Sequence, residues 1–346
     1  MKLLICGVFV GLAAMAVAEV RMNQIQTIGT HNSYHLAPEP GMMKMVKMFS
    51  KEAEAWEYSH APLDQQLNEG IRQIELDVFA DPEGGLYAES DHPRLEEMKK
   101  PGIKVLHVPK LDARSNHVSL VESLTVVRDW SLKNPRHLPV MILIELKDRK
   151  EVPFGPEPVK FDRKQIDSLE KEIWSVFQRD HVIEPDEVRK GEKTLRESIL
   201  KNGWPLLEEA RGKVFFCLDN EGRHREVYLK GNESLEKRVL FVSVGRDHPA
   251  AAFMKRNDPV GGFREIQQLV REGFIVRTRA DANLREARAN DRGRSKQALA
   301  SGAQYVSTDF PVADKKIGDY VVLLPKKVVA RANPVSGAKV GAGELE

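Results

Sequence analysis

Cysteine is nearly absent from this sequence. Only Cys6 and Cys217 occur among 346 residues, and Cys6 lies in a segment with the marks of a cleaved leader. Lys2 precedes an apolar run from Leu3 to Val17 that closes in Ala16-Val17-Ala18, the charged, apolar, small-x-small order of a secretory signal peptide. Residues 1–18 are therefore expected to be removed before Glu19, leaving a secreted or periplasmic chain. The mature protein would keep one thiol, so an intrachain disulfide is excluded and a fold of this size must rest on its core. Cys217, set among Phe215, Phe216 and Leu218, reads as a buried structural thiol.

Other absences narrow the reading further. The leader run is shorter than the roughly 20 residues of a membrane span. Lys and Arg number 53 against 51 Asp and Glu, a net charge of +2 with no basic stripe, so nucleic acid is not implied as a partner. No repeat of about 20 to 50 residues is evident. The first strand does not run into a glycine-rich phosphate loop, which argues against an open doubly wound sheet.

What is present is a series of short apolar, β-rich runs separated by helical or loop stretches. They fall at 25–30, 71–79, 103–108, 139–146, 213–219, 239–244, 273–279 and 304–308. Strands alternating with helical patterns predict a parallel sheet, and eight such units predict an α/β fold, a distorted TIM (β/α)₈ barrel, over residues 19–325. The long charged excursion 147–212 holds one predicted helix at 163–178, where Ile166, Leu169, Ile173 and Phe177 follow the helical period. Residues 326–346 are expected to be a flexible tail.

Polar groups gather where these strands end. In the run Ile71–Phe79, Ile74, Leu76 and Val78 share one face while Glu75 and Asp77 share the other. Two carboxylates there require a matching cation or donor if the strand is buried on both faces; a wet edge strand is the alternative. Val140–Leu146 likewise ends in Glu145, with Lys147 beyond. The first strand runs into His31, Asn32 and Ser33, and the run 103–108 carries His107. Arg277 and Arg279 share a face of the run 274–279 and would suit a phosphate or polyol; solvent-facing arginines paired with acids are the alternative. Asn32, Glu75, Asp77 and Glu145 offer only hard oxygen ligands, which suit Ca²⁺ or Mg²⁺ better than Zn²⁺. His31 and His107 are then free to act as acid, base or oxyanion donor.

Taken together, these residues resemble the calcium-dependent phosphoinositide-specific phospholipases C of the bacterial and fungal kind. The resemblance is carried by Thr30-His31-Asn32-Ser33-Tyr34-His35, residues 58–64 (YSHAPLD), Glu75-Leu76-Asp77-Val78, His107-Val108-Pro109, Leu218-Asp219-Asn220, residues 277–281 (RTRAD) and Ser307-Thr308-Asp309-Phe310-Pro311. It implies a barrel that cleaves the glycerol–phosphate bond of phosphatidylinositol through a cyclic phosphate, with the inositol hydroxyl as internal nucleophile. It further implies His31 and His107 as the catalytic pair, with Asn32, Glu75, Asp77 and Glu145 as ligands of Ca²⁺ in preference to Mg²⁺. Lys147, Arg277 and Arg279 are the expected contacts to inositol or phosphate, and the expected partner is a phospholipid or other phosphodiester substrate, met by a monomer.

A methionine-rich stretch, with Met42, Met45 and Phe49 on one helical face, either packs on the barrel or makes transient contact with a membrane surface. A glycerophosphodiester phosphodiesterase is the nearest rival, and its usual His-Arg-Gly start is missing here. A metal-free phospholipase would not need the carboxylate cluster. A non-catalytic lipid- or sugar-binding barrel would be expected to lack one of the histidines or the Glu75/Asp77 pair.

Overall fold

The computed structural model describes residues 20–49, 51–337 and 345–346; the expected leader lies outside them. Ten strands form one sheet: β1 (Ile25–Thr30), β2 (Gln73–Phe79), β3 (Lys104–Val105), β4 (Val140–Leu146), β5 (Val214–Leu218), β6 (Leu240–Val242), β7 (Phe253–Lys255), β8 (Ile275–Arg279), β9 (Tyr305–Thr308) and β10 (Ala330–Ala332). Eight are parallel, in the order β6-β5-β4-β2-β1-β9-β8-β7. A parallel bridge from Ser243 to Phe253 brings β6 to β7 and closes the ring. Strands enclosed on both faces have no wet side, which is why β4 reads as an unbroken apolar run up to Glu145.

Two of the ten lie outside the ring, and one corrects the strand count. Residues 103–108 do not supply a barrel strand. Only Lys104 and Val105 are extended, and they pair antiparallel with Phe79 and Val78 at the far end of β2. Ile103 and Val105 are buried, so the apolar pattern is genuine; it covers an extension beyond the ring. The eighth strand is β7, three residues long after Ala250-Ala251-Ala252. Alanine carries little strand preference, and so brief a run has no readable period.

β10 falls within the segment expected to be a flexible tail. Ala330–Ala332 pair antiparallel with Thr27–Ile25, along the lower part of β1, while β2 joins β1 only at Gly29 opposite Gln73. The tail thus supplies barrel wall where β2 has not yet begun. Glu346 also returns to the barrel, accepting from Arg72 Nε at 2.9 Å and from the Leu138 backbone N–H at 2.7 Å. The β1–β2 contact explains Gly29, since a Cβ there would lie 2.2 Å from Gln73 Oε1. Gln73 uses that proximity to donate to Thr30 O at 3.0 Å.

The helix expected at 163–178 spans Arg163–Val176. Asp162 caps it by accepting from Gln165 N at 3.0 Å, and Ile166, Leu169 and Ile173 are buried against the barrel. Cys217 is buried in β5 and free. In the helix Pro40–Phe49, Met43 and Val46 are buried, whereas Met45 and Met48 face solvent. The packed face is therefore not the Met42/Met45 face.

Candidate active site

A cavity of about 590 Å³ opens at the C-terminal ends of the strands, lined among others by His31, Asn32, Trp56, Tyr58, His107 and Arg279. That end of a barrel carries the variable loops, so it is where chemistry is expected. β1 delivers His31 through a tightly pinned turn. The His31 N–H still donates to Thr308 O at 3.2 Å, and Asn32 then takes a left-handed backbone with φ 44°, a conformation asparagine tolerates better than most residues. Ser33 holds the turn against β2, donating its N–H to Glu75 O at 2.9 Å and accepting from Glu75 N at 2.8 Å through its hydroxyl. The threonine and serine of the Thr-His-Asn-Ser run are thus the local scaffold for the histidine and asparagine between them.

Each histidine is oriented by an aspartate. His31 Nδ1 lies 2.8 Å from Asp309 Oδ1, and Arg279 Nη1 lies 3.2 Å from His31 Nε2. A guanidinium only donates, so Nε2 carries the lone pair and Nδ1–H donates to Asp309. His31 is therefore a neutral ring. Burial first, and the Arg279 charge second, push its pKa down to about 3. Burial alone would raise Asp309, but His31 and Arg279 outweigh it and hold that carboxyl well below the usual range. His107 Nδ1 lies 2.7 Å from Asp112 Oδ2, leaving Nε2 for the cavity that the ring lines.

The acids of β2 and β4 meet beside His31. Asp77 stands opposite Glu145 in the register, and oxygen atoms of Glu75, Asp77 and Glu145 all lie within 4.8 Å of one another. Glu75 Oε1 is 3.8 Å from His31 Nε2. Burial pushes Glu75 up to about 7 and Asp77 well above the carboxylate range, Glu145 adding to the rise at Asp77. Asn32 Oδ1, Asp77 Oδ1 and the nearby Asp219 Oδ1 are buried without a hydrogen-bond partner among the described residues. Unmatched buried oxygens of this kind are costly, and an all-oxygen donor set fits a hard divalent cation such as Ca²⁺.

The basic residues divide into three situations. Arg279 reaches the cavity. Lys147 Nζ sits 3.5 Å from Asp77, 3.4 Å from Glu145 and 3.5 Å from Glu151; burial works against its charge, but these acids raise its pKa. Arg277 is enclosed inside the barrel, bonded to Glu75, to Ser307 Oγ at 2.9 Å and to Asn257 Oδ1 at 2.7 Å.

His107 does not end a barrel strand, yet the loop after β3 returns it to the same rim. Asp112 stood outside every motif in the sequence, while His35, Tyr58, Asp219 and Asp309 entered only as members of motifs, without roles of their own. The one available signal was position, since Asp219 and Asp309 directly follow β5 and β9, as Asp77 and Glu145 lie in the C-terminal halves of theirs.

A family model described as "Phosphoinositide phospholipase C, Ca2+-dependent" matches residues 20–334. The chain belongs to this family. It is accordingly a Ca²⁺-dependent phosphodiesterase-type enzyme on a phospholipase-C-like TIM barrel. Among solved structures it is similar to a calcium-dependent phosphoinositol-specific phospholipase C from a Gram-negative bacterium, Pseudomonas sp., in a myo-inositol complex. That likeness has 17% identity and a TM-score of 0.54, covering 85% of this chain and 92% of that one. It is also similar to a Ca²⁺-dependent phosphatidylinositol-specific phospholipase C from Streptomyces antibioticus, with 17% identity and a TM-score of 0.54 over 84% of this chain and 95% of that one. At such identity these likenesses speak to the fold alone. Among curated proteins, none matches by sequence.

Proposed function

We propose that this family member is an exported enzyme, acting as a monomer, that cleaves phosphatidylinositol to diacylglycerol and an inositol phosphate by way of the cyclic phosphate. The observation that carries the reading is the pair of histidine–aspartate contacts on one cavity, His31–Asp309 at 2.8 Å and His107–Asp112 at 2.7 Å, beside a buried carboxylate cluster.

In the first step the inositol hydroxyl adjacent to the phosphate attacks phosphorus and gives its proton to His31 Nε2. The bond from phosphorus to the glycerol oxygen breaks, and that oxygen takes a proton from His107 Nε2. Water then opens the cyclic phosphate with the two histidines in exchanged roles, which restores both. Asn32, Glu75, Asp77 and Glu145 would hold the Ca²⁺ ion, whose chemistry is to neutralise charge on the phosphoryl oxygens and to acidify the attacking hydroxyl. Arg279 meets the phosphate, Lys147 balances the acids around it, and Arg277 holds Glu75 in place.

Export is supported by the order of residues 1–18. Membrane contact is supported by Met48 and Phe154, 76% and 66% exposed, and by a neighbouring groove of about 610 Å³ lined by Val46, Trp56, Val108, Leu111 and Phe154. Trp56 and Val108 belong to both the groove and the active-site cavity.

Turnover of phosphatidylinositol, phosphatidylcholine and glycerophosphoinositol by the purified protein in Ca²⁺ tests the assignment. Preference for phosphatidylinositol is expected. Preference for the deacylated compound would move the assignment to the rival diesterase, and turnover of none would leave a binding protein.

A further inference from the structure

His35 is one of the most deeply enclosed ionisable groups in the protein, and the reaction outlined above does not use it. The ring is 1% exposed. It packs at 4.6 Å from the Tyr58 ring and meets the His107 ring edge-on at 5.9 Å. Its Nδ1 lies 3.0 Å from Tyr58 O, and its Nε2 lies 2.9 Å from both oxygens of Asp112. A backbone carbonyl only accepts, so Nδ1 carries a hydrogen. Nε2 faces both oxygens of Asp112, and a carboxylate only accepts, so the geometry places a hydrogen there too.

Asp112 is itself immobilised. Its backbone forms a two-way bridge with Val108, 2.9 Å in each direction, which fixes the loop joining His107 to Asp112. The three side chains therefore form a chain, His35 to Asp112 to His107, in which the carboxylate accepts from both rings. The same three also have the composition of a transition-metal site. Their separations speak against that: 2.7 and 2.9 Å are hydrogen-bond lengths, whereas donors sharing one tetrahedral zinc would stand about 3.3 Å apart.

We propose that His35 is a positioning residue for the reaction: by donating Nε2–H to Asp112 it fixes that carboxylate as an acceptor for His107 Nδ1–H, so that His107 always presents Nε2 to the substrate. His35 touches no reacting atom. It acts as a buried donor whose withdrawal frees Asp112 to turn, and frees His107 to exchange its two nitrogens. The inference rests on the assignment of His107 as the proton donor to the leaving oxygen. Its test therefore includes a measurement that does not depend on turnover.

The variants His35→Asn and His35→Gln separate the two hydrogen bonds, because asparagine places its amide near the Nδ1 position and glutamine near Nε2. In the full-length mature protein with Ca²⁺, ¹⁵N NMR of labelled histidine is expected to show neutral His107 as the Nδ1–H tautomer. It should become a tautomer mixture in His35→Asn and stay largely Nδ1–H in His35→Gln. In parallel, kcat on phosphatidylinositol should fall roughly 10- to 100-fold in His35→Asn, part of the 10²–10⁴ that a positioned proton donor contributes. KM should change by less than about twofold, as for a group acting only on the transition state, and glutamine should restore most of kcat. Asp112→Asn tests the same link from the acceptor side if His35→Asn does not fold, with the same loss of a single tautomer expected. An unchanged His107 tautomer in His35→Asn and in Asp112→Asn overturns the proposal, as does an equal loss of kcat in His35→Asn and His35→Gln. An active His107→Ala variant would instead remove the mechanistic reading while leaving the tautomer result intact.

Discussion

Asp309 binds His31 and Arg279 with its two oxygens, the ring nitrogen Nδ1 at 2.8 Å from Oδ1 and the guanidinium Nη2 at 3.3 Å from Oδ2. One carboxylate at the end of β9 thus sets both the tautomer of the histidine after β1 and the aim of the arginine ending β8. Asp309→Asn keeps the shape and removes the charge. Its kcat on phosphatidylinositol should fall roughly 10²- to 10⁴-fold, as when an orienting carboxylate is lost, with a smaller change in KM. Steady-state kinetics at wild-type-like turnover would contradict this role.

Acid should destabilise the protein through its buried neutral histidines. Burial pushes His60 down to about 4 and His31 to about 3, against about 6.5 in an unfolded chain. Between those values the unfolded state binds more protons than the folded one, so stability is full above about pH 6.5 and declines as pH falls through about 4. His60→Gln retains a donor for His31 O, which His60 Nε2 contacts at 2.9 Å, but cannot titrate. Its Tm should decline less steeply with acid than the wild type, and parallel Tm–pH curves would refute the assignment.

Calcium should stabilise the fold as well as permit turnover. At a free concentration about 100 times Kd, one bound ion adds about 2.7 kcal/mol, which a thermal melt with and without chelator will register. Asp77→Asn removes one charge from the cluster and should weaken Ca²⁺ binding in calorimetry while leaving the chelated protein folded. Equal affinity in wild type and variant would exclude Asp77 as a ligand.

Met48→Asp and Phe154→Asp each place a charge on an exposed apolar side chain beside the groove. Binding to phosphatidylinositol vesicles should weaken in sedimentation assays, because burying a charge in the interface is unfavourable. Turnover of a short, monomeric phosphodiester substrate should stay near wild type. Unaltered vesicle binding by the double variant would rule out this face as the contact.

The barrel was legible because strands buried on both faces favour apolar residues: β4, β5 and β6 are nearly unbroken apolar runs, while β1, β2, β8 and β9 mix apolar residues with the polar groups that the barrel interior and its rim use. β7 was not legible, since its partners supply the burial that three residues after an alanine run cannot advertise. β3 misled for the opposite reason: Ile103 and Val105 are apolar and buried, but the sequence does not say that they cover an extension of β2. For the site, residue type and strand position singled out His31, His107, Glu75, Asp77 and Glu145. The orienting aspartates were hidden because Asp112 lies in a loop and Asp309 is 278 positions from His31. Hydrogen bonds across such separations leave no local pattern. Arg277 and Arg279 share a strand face, yet only the fold separates the one enclosed with Glu75 from the one at the cavity.

Two histidines and one metal acting together on an inositol phosphodiester is the central feature of the proposed reaction. ³¹P NMR of phosphatidylinositol vesicles treated with the mature protein, in Ca²⁺ or in chelator, reads this directly for wild type, His31→Ala and His107→Ala. The expected result is a cyclic inositol phosphate signal for wild type in Ca²⁺, none in chelator, and formation slowed roughly 10²- to 10⁴-fold in each variant. Chelator-resistant turnover, or an alanine variant as fast as wild type, would contradict it.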